Sequence, residues 1–593
     1  MKHTAVRGFV EEHRQRQIRQ RIYWALACLI VGFFIVALRL VDLQILKSSE
    51  LALQAEKQHF RVVNVKAERG AILDRKERIL AIDLKAPSIY AIPSIIKNGR
   101  NVSKRLAPVL RTSFKAMNDR LGRTKHFVWL ERKVDPAMAE AIQRLQIEGV
   151  GFIMESRRFY PKRTLLGQIL GFTGLDHQGM EGIENSYDTV LRGQEGEIRF
   201  ERDGAGRNVF PEGFDYVAPS RGNDLVLTVD EFLQHISERE LEAALTRTKS
   251  VAGTVVMMDP MTGEILALAI RPAFNPNTIP ARPKNSRLPL ADQWRNRAIT
   301  DVYEPGSTFK IVTASAALQE GVVTPTEVID CERGSLIVAG SPIRDPFSHG
   351  LLSFQDVVAQ SSNVGMAKVG MRLGNSVFYR YSRAFGFGEK TGIDLRGEVP
   401  GILRDPSQWS KRSLATLSIG QEVAVTQIQM ITAVSAIANG GLLMKPFFVR
   451  EIRNPQGVVM KRFSPQVRRR VLTTQVAQQM KEILERVTDP GGTGEKAAIP
   501  GYAVGGKTGT AQKIDPSTGR YFANRFISSF VGFVPAGEPQ LAILVVIEEP
   551  EGVAWGGSVA APVFKVIAQE ALNYLGTLPQ DGDRVLVADA RKS

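Results

Sequence analysis

The sequence predicts an α/β fold of the α+β kind. One antiparallel five-stranded sheet is flanked by helices, with an elongated mixed region and a single transmembrane helix ahead of it. Three observations predict it. An uncharged run, Ile22 to Leu38, follows a basic N-terminus. Strand-like apolar runs gather at the two ends of the second half of the chain. Long helical segments fill the interval between them. Strands split in this way bury their apolar faces by joining one sheet and covering it with the intervening helices.

A chain of 593 residues exceeds what one core serves, so two or more domains are expected. With 44% hydrophobic and 23% charged residues it has a globular balance, which excludes a disordered polymer. The net charge of +16 favours anionic partners such as lipid headgroups, nucleic acid or acidic polymers, without choosing among them. Cys28 lies in the apolar run, so it is not expected to pair with Cys331. The histidines are scattered and no zinc spacing occurs, so neither a metal nor another cofactor is predicted.

The run from Ile22 is near the short end of what a spanning helix needs. Arg39 can snorkel while Leu40 and Val41 extend the span, giving an anchor at 22–41. Lys2, Arg7, Arg14, Arg16, Arg19 and Arg21 outweigh Glu11 and Glu12, which places the tail 1–21 in the cytoplasm and the rest outside. No small-residue cleavage site follows the run, so the anchor is expected to stay uncleaved and single-pass.

Residues 42–220 read as a mixed region, with strands at Phe60 to Val65, Ile72 to Leu73 and Ser88 to Ile92 and a helix at Pro136 to Leu145. Turn formers from Val217 to Asp224 mark a seam. The second region, 221–577, opens with Leu225 to Val229 and a helix from Glu231 to Leu245. Thr254 to Met258 and Glu264 to Ala269 form a hairpin around Asp259-Pro260-Met261-Thr262-Gly263. Strands return at Tyr502 to Ile514, Arg525 to Val534 and Leu541 to Ile547. A closing helix, Pro562 to Leu575, has Pro in its first turn and Gly576 past its end. A flexible polar tail is expected at 578–593.

Residues 304–310 read Glu-Pro-Gly-Ser-Thr-Phe-Lys and lead into an apolar stretch, Thr308 to Gln319. A helix apolar on all faces is buried. Ser307 is thus expected at its N-terminus, with Lys310 one turn later on the same face. A serine hydroxyl needs a base to become a nucleophile, and a desolvated lysine can lose its proton near neutral pH. Alone this spacing is weak: it recurs at Ser94 to Lys97, and Ser307 serves equally as a plain helix cap. Two further elements add weight. Ser361-Ser362-Asn363 opens another helical run and offers a hydroxyl and a carboxamide. Lys507-Thr508-Gly509-Thr510 lies on a strand, where a small Gly509 lets a ligand backbone approach and Lys507, Thr508 and Thr510 suit a carboxylate. S-x-x-K, S-x-N and K-T-G in this order are a strong joint signal for acyl transfer. A second K-T-G, Lys390 to Gly392, sits in loop-like sequence.

Gly501 to Thr508 also fits the phosphate-loop pattern, and Glu548-Glu549 imitates an acidic strand end, so an NTPase is the competing class. A phosphate loop must open a helix, whereas Thr510 to Ile514 reads as extended. A third class is a penicillin-binding sensor or scaffold that acylates without turnover.

With the rest of the chain, these motifs resemble the class B penicillin-binding proteins, and among them the division-specific, FtsI-type transpeptidases. Arg69 to Arg75, Arg158 to Pro161 and Gly179 to Glu184 match the family's membrane-proximal motifs. Phe274 to Asn277, Gly505 to Gln512 and Gly556 to Phe564 match its catalytic region. Ser361-Ser362-Asn363 points to the division type, because the elongation type usually carries S-x-D. Departures are Lys76-Glu77, where the family usually has Gly, Trp555, where Tyr often stands, and Val425-Thr426-Gln427, which lacks the usual Pro.

The resemblance implies a penicillin-binding transpeptidase fold. A dimerisation-type pedestal would occupy 42–220 and the transpeptidase domain 221–577. It implies a serine-type D-Ala-D-Ala transpeptidase that is monofunctional. Ser307 would attack after losing its proton to Lys310. Backbone N–H groups of Ser307 and Thr510 would form the oxyanion hole. Ser361 would relay a proton, and Asn363 would hold the donor amide. Lys507, Thr508, Gly509 and Thr510 would bind the terminal carboxylate. Peptidoglycan stem peptides would be the substrate and β-lactams covalent inhibitors. An FtsW-type glycan polymerase and other division proteins would be partners, with no role for nucleic acid. No extra repeat domain follows the last helix, which the resemblance associates with a Gram-negative inner membrane.

Overall fold

The computed structural model describes residues 3–52, 60–122, 127–202, 208–209, 216–278, 294–515 and 517–579. From residue 580 onward the expected tail lies outside the described residues. The chain divides into two compact units, 1–67 with 194–220, and 68–193 with 221–593.

In the first unit, helix α1 (His3–Val41) covers the expected anchor and starts well before it, then widens into a π-helical turn at Asp42–Leu46. The segment Arg14–Leu46 is long and apolar enough to cross a membrane. Its apolar side chains, Trp24 and Phe33 among them, are exposed, as suits contact with lipid. Cys28 is exposed here and unpaired. Phe60–Val65 pairs antiparallel with Gly196–Arg202, which also pairs with Asn208–Val209 and Tyr216–Val217.

The second unit holds the predicted sheet. Its strands are β1 (Ala252–Met258), β2 (Ile265–Arg271), β3 (Gly505–Ile514), β4 (Tyr521–Val534) and β5 (Leu541–Glu548). They run in the order β2-β1-β5-β4-β3, antiparallel throughout. Alternate residues face opposite cores, because successive strand side chains point to opposite faces. Val255, Met257, Ile543 and Val545 pack under α2 (Glu231–Thr248) and α6 (Ala561–Leu575). Val256, Met258, Leu544 and Val546 join the larger core that contains α3 (Lys310–Gln319), α4 (Asn363–Leu373) and α5 (Gln427–Ala438). Helix α2 is capped by Asp230, whose carboxylate accepts from the Phe232 N–H at 2.8 Å, and it runs past the expected end at Leu245 to a left-handed Lys249. Gly576 closes α6 in the left-handed region, as its position predicts.

A second, mixed sheet in the same unit orders Val459–Arg462, Val449–Arg453, Asp224–Leu227, Ile72–Leu73, Ile79–Ala91 and Val128–Glu131, and Val150–Phe159 also pairs with Ile79–Ala91. Asp224–Leu227 runs parallel to Ile72–Leu73 and antiparallel to Val449–Arg453. The short strand expected at Ser88 to Ile92 is thus the end of a long one. The helix expected to reach Leu145 ends at Gln143.

Candidate active site

The chain reaches Ser307 through a 3-10 turn, Gly306–Phe309, and only then enters α3 at Lys310. This corrects the expected helix start at Ser307 and Thr308. Pro305 and Phe309 hold the capping positions, so Ser307 is not a helix cap. Gly306 takes φ +53 and would bring a side chain to 3.0 Å from the Thr510 carbonyl, which explains glycine before the serine. Ser307 is half-buried and opens into a cleft of about 540 Å³. Ser361, Asn363, Thr508 and Thr510 line the same cleft, with Phe347 and Trp555 at its rim.

Lys310 and Lys507 lie fully buried beneath this floor. The Lys310 ammonium donates to the Ser361 carbonyl at 2.6 Å, to the Asn363 Oδ1 at 2.7 Å and to the Ser361 hydroxyl at 3.2 Å. Lys507 donates to the same hydroxyl at 2.9 Å and to the Thr508 carbonyl at 3.3 Å. Burial pushes Lys310 down to about 7, against a weak opposing pull from Asp345. Burial also lowers Lys507, and the neighbouring Lys310 charge lowers it further. Among the described residues neither amine has a carboxylate within ion-pairing distance.

The serine motif divides its labour. Ser362 caps α4, accepting from the Gly365 N–H at 3.0 Å. Ser361 sits one residue earlier at φ +58, so its hydroxyl is turned away from the helix and between the two lysines. Asp345 supports this start. It accepts from the Asn363 N–H, from the Val364 N–H at 3.0 Å and from the Ser362 hydroxyl at 2.7 Å. Thr493 is the other supporting residue. Its hydroxyl accepts from Thr508 at 3.1 Å and donates to the Ala359 carbonyl at 3.2 Å. Neither Asp345 nor Thr493 carries a periodic signal; both lie in turn-rich stretches, Arg344-Asp345-Pro346 and Gly491-Gly492-Thr493-Gly494.

Gly509 has a different reason from the one expected. A side chain there would meet the Ser529 hydroxyl at 2.4 Å, Thr308 at 2.8 Å and the Pro305 carbonyl at 3.1 Å. The close approach is that of the chain's own serine turn to β3. Thr510 accepts from the Gly556 N–H at 3.1 Å, and among the described residues its hydroxyl proton has no acceptor.

The competing patterns have structural explanations. Lys507 and Thr508 lie inside β3 and open no helix, so the phosphate-loop reading fails. Glu548 and Glu549 are paired with Lys513 at 3.0 and 2.8 Å. In the second K-T-G, the Thr391 and Gly392 N–H groups hold the Glu398 carboxylate, which is a local anchor. Ser94 and Lys97 are exposed on a turn.

Three lines of chemistry therefore converge on one cleft: a half-buried serine, a hydroxyl between two desolvated lysines, and a strand edge that presents a threonine hydroxyl. The model of the penicillin binding protein transpeptidase domain matches residues 253–569, and that of the penicillin-binding protein dimerisation domain matches 64–227. The chain belongs to the penicillin-binding protein transpeptidases. It is 36% identical to stage V sporulation protein D of Bacillus subtilis (strain 168), over 95% of this chain and 87% of that one. It is 33% identical to the peptidoglycan D,D-transpeptidase FtsI of Escherichia coli (strain K12), over 95% of this chain and 94% of that one. A crystal structure of penicillin binding protein 3 from Mycobacterium tuberculosis, complexed with aztreonam, superposes with a TM-score of 0.68 at 28% identity, covering 88% of this chain and 98% of that one. As a class B member, this chain is a peptidoglycan D,D-transpeptidase by family.

Proposed function

We propose that this chain cross-links peptidoglycan stem peptides at the division septum through an acyl-Ser307 intermediate, and that β-lactams acylate the same serine. The observation that carries this reading is the placement of the Ser361 hydroxyl between Lys310 and Lys507 at the base of the Ser307 cleft.

The hydrogen bonds supply a mechanism. A neutral amine has two N–H donors and one lone pair. The Ser361 carbonyl and the Asn363 Oδ1 only accept, so they take both hydrogens of neutral Lys310. Its lone pair then faces the Ser361 hydroxyl at 3.2 Å, and acting as general base requires the Ser307 hydroxyl to reach that lone pair on attack. With Lys310 as base, Ser307 attacks the carbonyl of the penultimate D-alanine. The N–H groups of Ser307 and Thr510 hold the oxyanion, each such donor being worth roughly 3–4 kcal/mol of barrier. The departing D-alanine takes its proton through Ser361, which Lys507 orients. Asn363 holds the donor amide, and Lys507, Thr508 and Thr510 receive its carboxylate, while Gly509 keeps β3 against the serine turn. An amine from a neighbouring strand then accepts the acyl group.

In this reading residues 42–220 form the pedestal, 221–577 the catalytic domain and 22–41 the single-pass anchor, with the catalytic part outside. An FtsW-type polymerase and other division proteins are its partners. Purified chain in detergent should release D-alanine from a pentapeptide donor and form an amide-linked dimer, and Ser307→Ala should do neither. A dimer formed by that variant would overturn the reading. The identity to a sporulation protein supports a second role, in sporulation. Depletion separates the two: filamentous growing cells support septation, whereas normal growth with defective spores supports the other.

A further inference from the structure

Transfer to an amine requires a place for that amine, and the cleft offers one. Glu304 lines the cleft in the same segment as Ser307. It is half-buried and makes two fixed hydrogen bonds, accepting from the Glu422 N–H at 2.8 Å and from the Tyr521 hydroxyl at 2.8 Å. Each carboxylate oxygen thus keeps a lone pair. The other carboxylate on the cleft wall, Glu495, is exposed beside Lys496. The neighbouring acids are already engaged. Glu422 takes the hydroxyls of Ser413 and Thr416, and Glu548 and Glu549 are paired with Lys513. Among the described residues no cation lies within ion-pairing distance of Glu304, although it is held rigidly by two donors.

We propose that Glu304 is the anionic anchor of the acceptor subsite and binds the ammonium form of a primary amine beside acyl-Ser307. The proposal rests on the acyl-transfer reading above and adds the second substrate's recognition to it. A carboxylate held by neutral donors and facing a cleft is complementary to a primary ammonium and gives a neutral water or alcohol no comparable attraction. The proton balance is complete. Within the pair the ammonium passes one proton to the Glu304 carboxylate, which releases it to solvent. The freed amine nitrogen bonds to the ester carbon of the acyl-enzyme. The carbon–Oγ bond breaks, and the second nitrogen proton reaches the Ser307 oxygen through Lys310. Burial and the nearby Glu422 charge push the Glu304 carboxyl above its ordinary value, against the two hydrogen bonds that lower it, which eases the first transfer. The carboxyl group must be ionised to bind the cation, so acceptor use should fall as pH drops through this raised value.

The test is partition of the acyl-enzyme. A thioester donor is given with glycylglycine as amine acceptor, and separately with methanol as neutral acceptor, and the ratio of transfer to hydrolysis is measured for each. Glu304→Gln should lower the amine ratio by up to about fivefold, the scale of one partly exposed ion pair, and flatten its acid limb. Glu304→Asp should restore part of the ratio. The methanol ratio should not follow the amine ratio down. If Glu304→Gln does not fold, choline on the parent protein should depress transfer to glycylglycine more than transfer to methanol. Equal partition in parent and Glu304→Gln, or equal effects of choline on both acceptors, would overturn the inference. No acyl-enzyme in the parent would instead defeat the reading beneath it.

Discussion

Two clusters of buried cations lie in the same compact unit, and they are built on opposite principles. Near the membrane-proximal motifs, the Arg69 guanidinium donates to Glu184 at 2.8 Å and to Asp188 at 2.7 Å. Arg158 donates to the same Glu184 at 2.6 Å and to Asp83 at 3.3 Å. Burial pulls Arg158 down, but Glu184, Tyr160 and Asp83 more than reverse it, and it stays above its ordinary value. Beneath the cleft, Lys310 and Lys507 meet only carbonyls, hydroxyls and a carboxamide. Asp345, the carboxylate whose charge acts on Lys310, is occupied by the start of α4. The guanidiniums are ion-paired and hold backbone in place. Burial without a carboxylate partner lowers both amines, Lys310 to about 7, where its proton can leave and its lone pair can serve as a base.

Substitutions should separate the two designs. Lys310→Met should lower penicillin acylation by roughly 10²–10⁴-fold, the usual contribution of a general base. Thermal melting should show no loss of stability, because a costly buried amine is replaced by an apolar chain of similar length. A large drop in melting temperature would make Lys310 a structural cation like Arg69. Glu184→Gln should do the reverse. It leaves Arg69 and Arg158 short of their shared carboxylate and should cost about 3–5 kcal/mol in denaturant unfolding, with acylation by the folded fraction retained.

The pH profile sharpens the contrast. Acylation requires neutral Lys310, so its rate should rise with pH through about 7 and level off above. A rate flat between pH 6 and 8 would contradict the base assignment. The smallest effect is expected at Glu77, in the Lys76-Glu77 pair where the sequence departs from the motif it resembles. Glu77 takes φ +64, a left-handed conformation that costs a side chain roughly 1–2 kcal/mol. Its exposed ion pair to Arg453 at 2.9 Å offsets less than about 1 kcal/mol of that. Glu77→Gly should therefore stabilise the protein slightly in urea, and a clear destabilisation would show that the ion pair matters more.

The sheet was legible because its strands are apolar runs bounded by turn formers, and burial on both faces keeps those runs continuous. The three motifs were legible because they pair chemical residue types with helix and strand starts. What escaped is what depends on meeting in space. The Ser361-Ser362-Asn363 spacing points to Ser361, but only the positive φ and the cap at Ser362 show why its hydroxyl stands between two lysines. Asp345 and Thr493 are single polar residues in loops, and nothing in the local pattern distinguishes them from surface turns. Arg69, Arg158 and Glu184 each belonged to a quoted motif, yet their convergence on one carboxylate joins residues far apart in the chain. Gly509 shows a further reason that the sequence does not carry: the Ser529 and Thr308 side chains and the Pro305 carbonyl lie where its own side chain would stand.

Intact-mass analysis of the protein after exposure to a penicillin, with Ser307→Ala alongside, tests the central claim most directly. The account predicts one adduct, mapped to the peptide containing Ser307 and absent from the variant. An unmodified, folded parent, or an adduct that persists in Ser307→Ala, would contradict it.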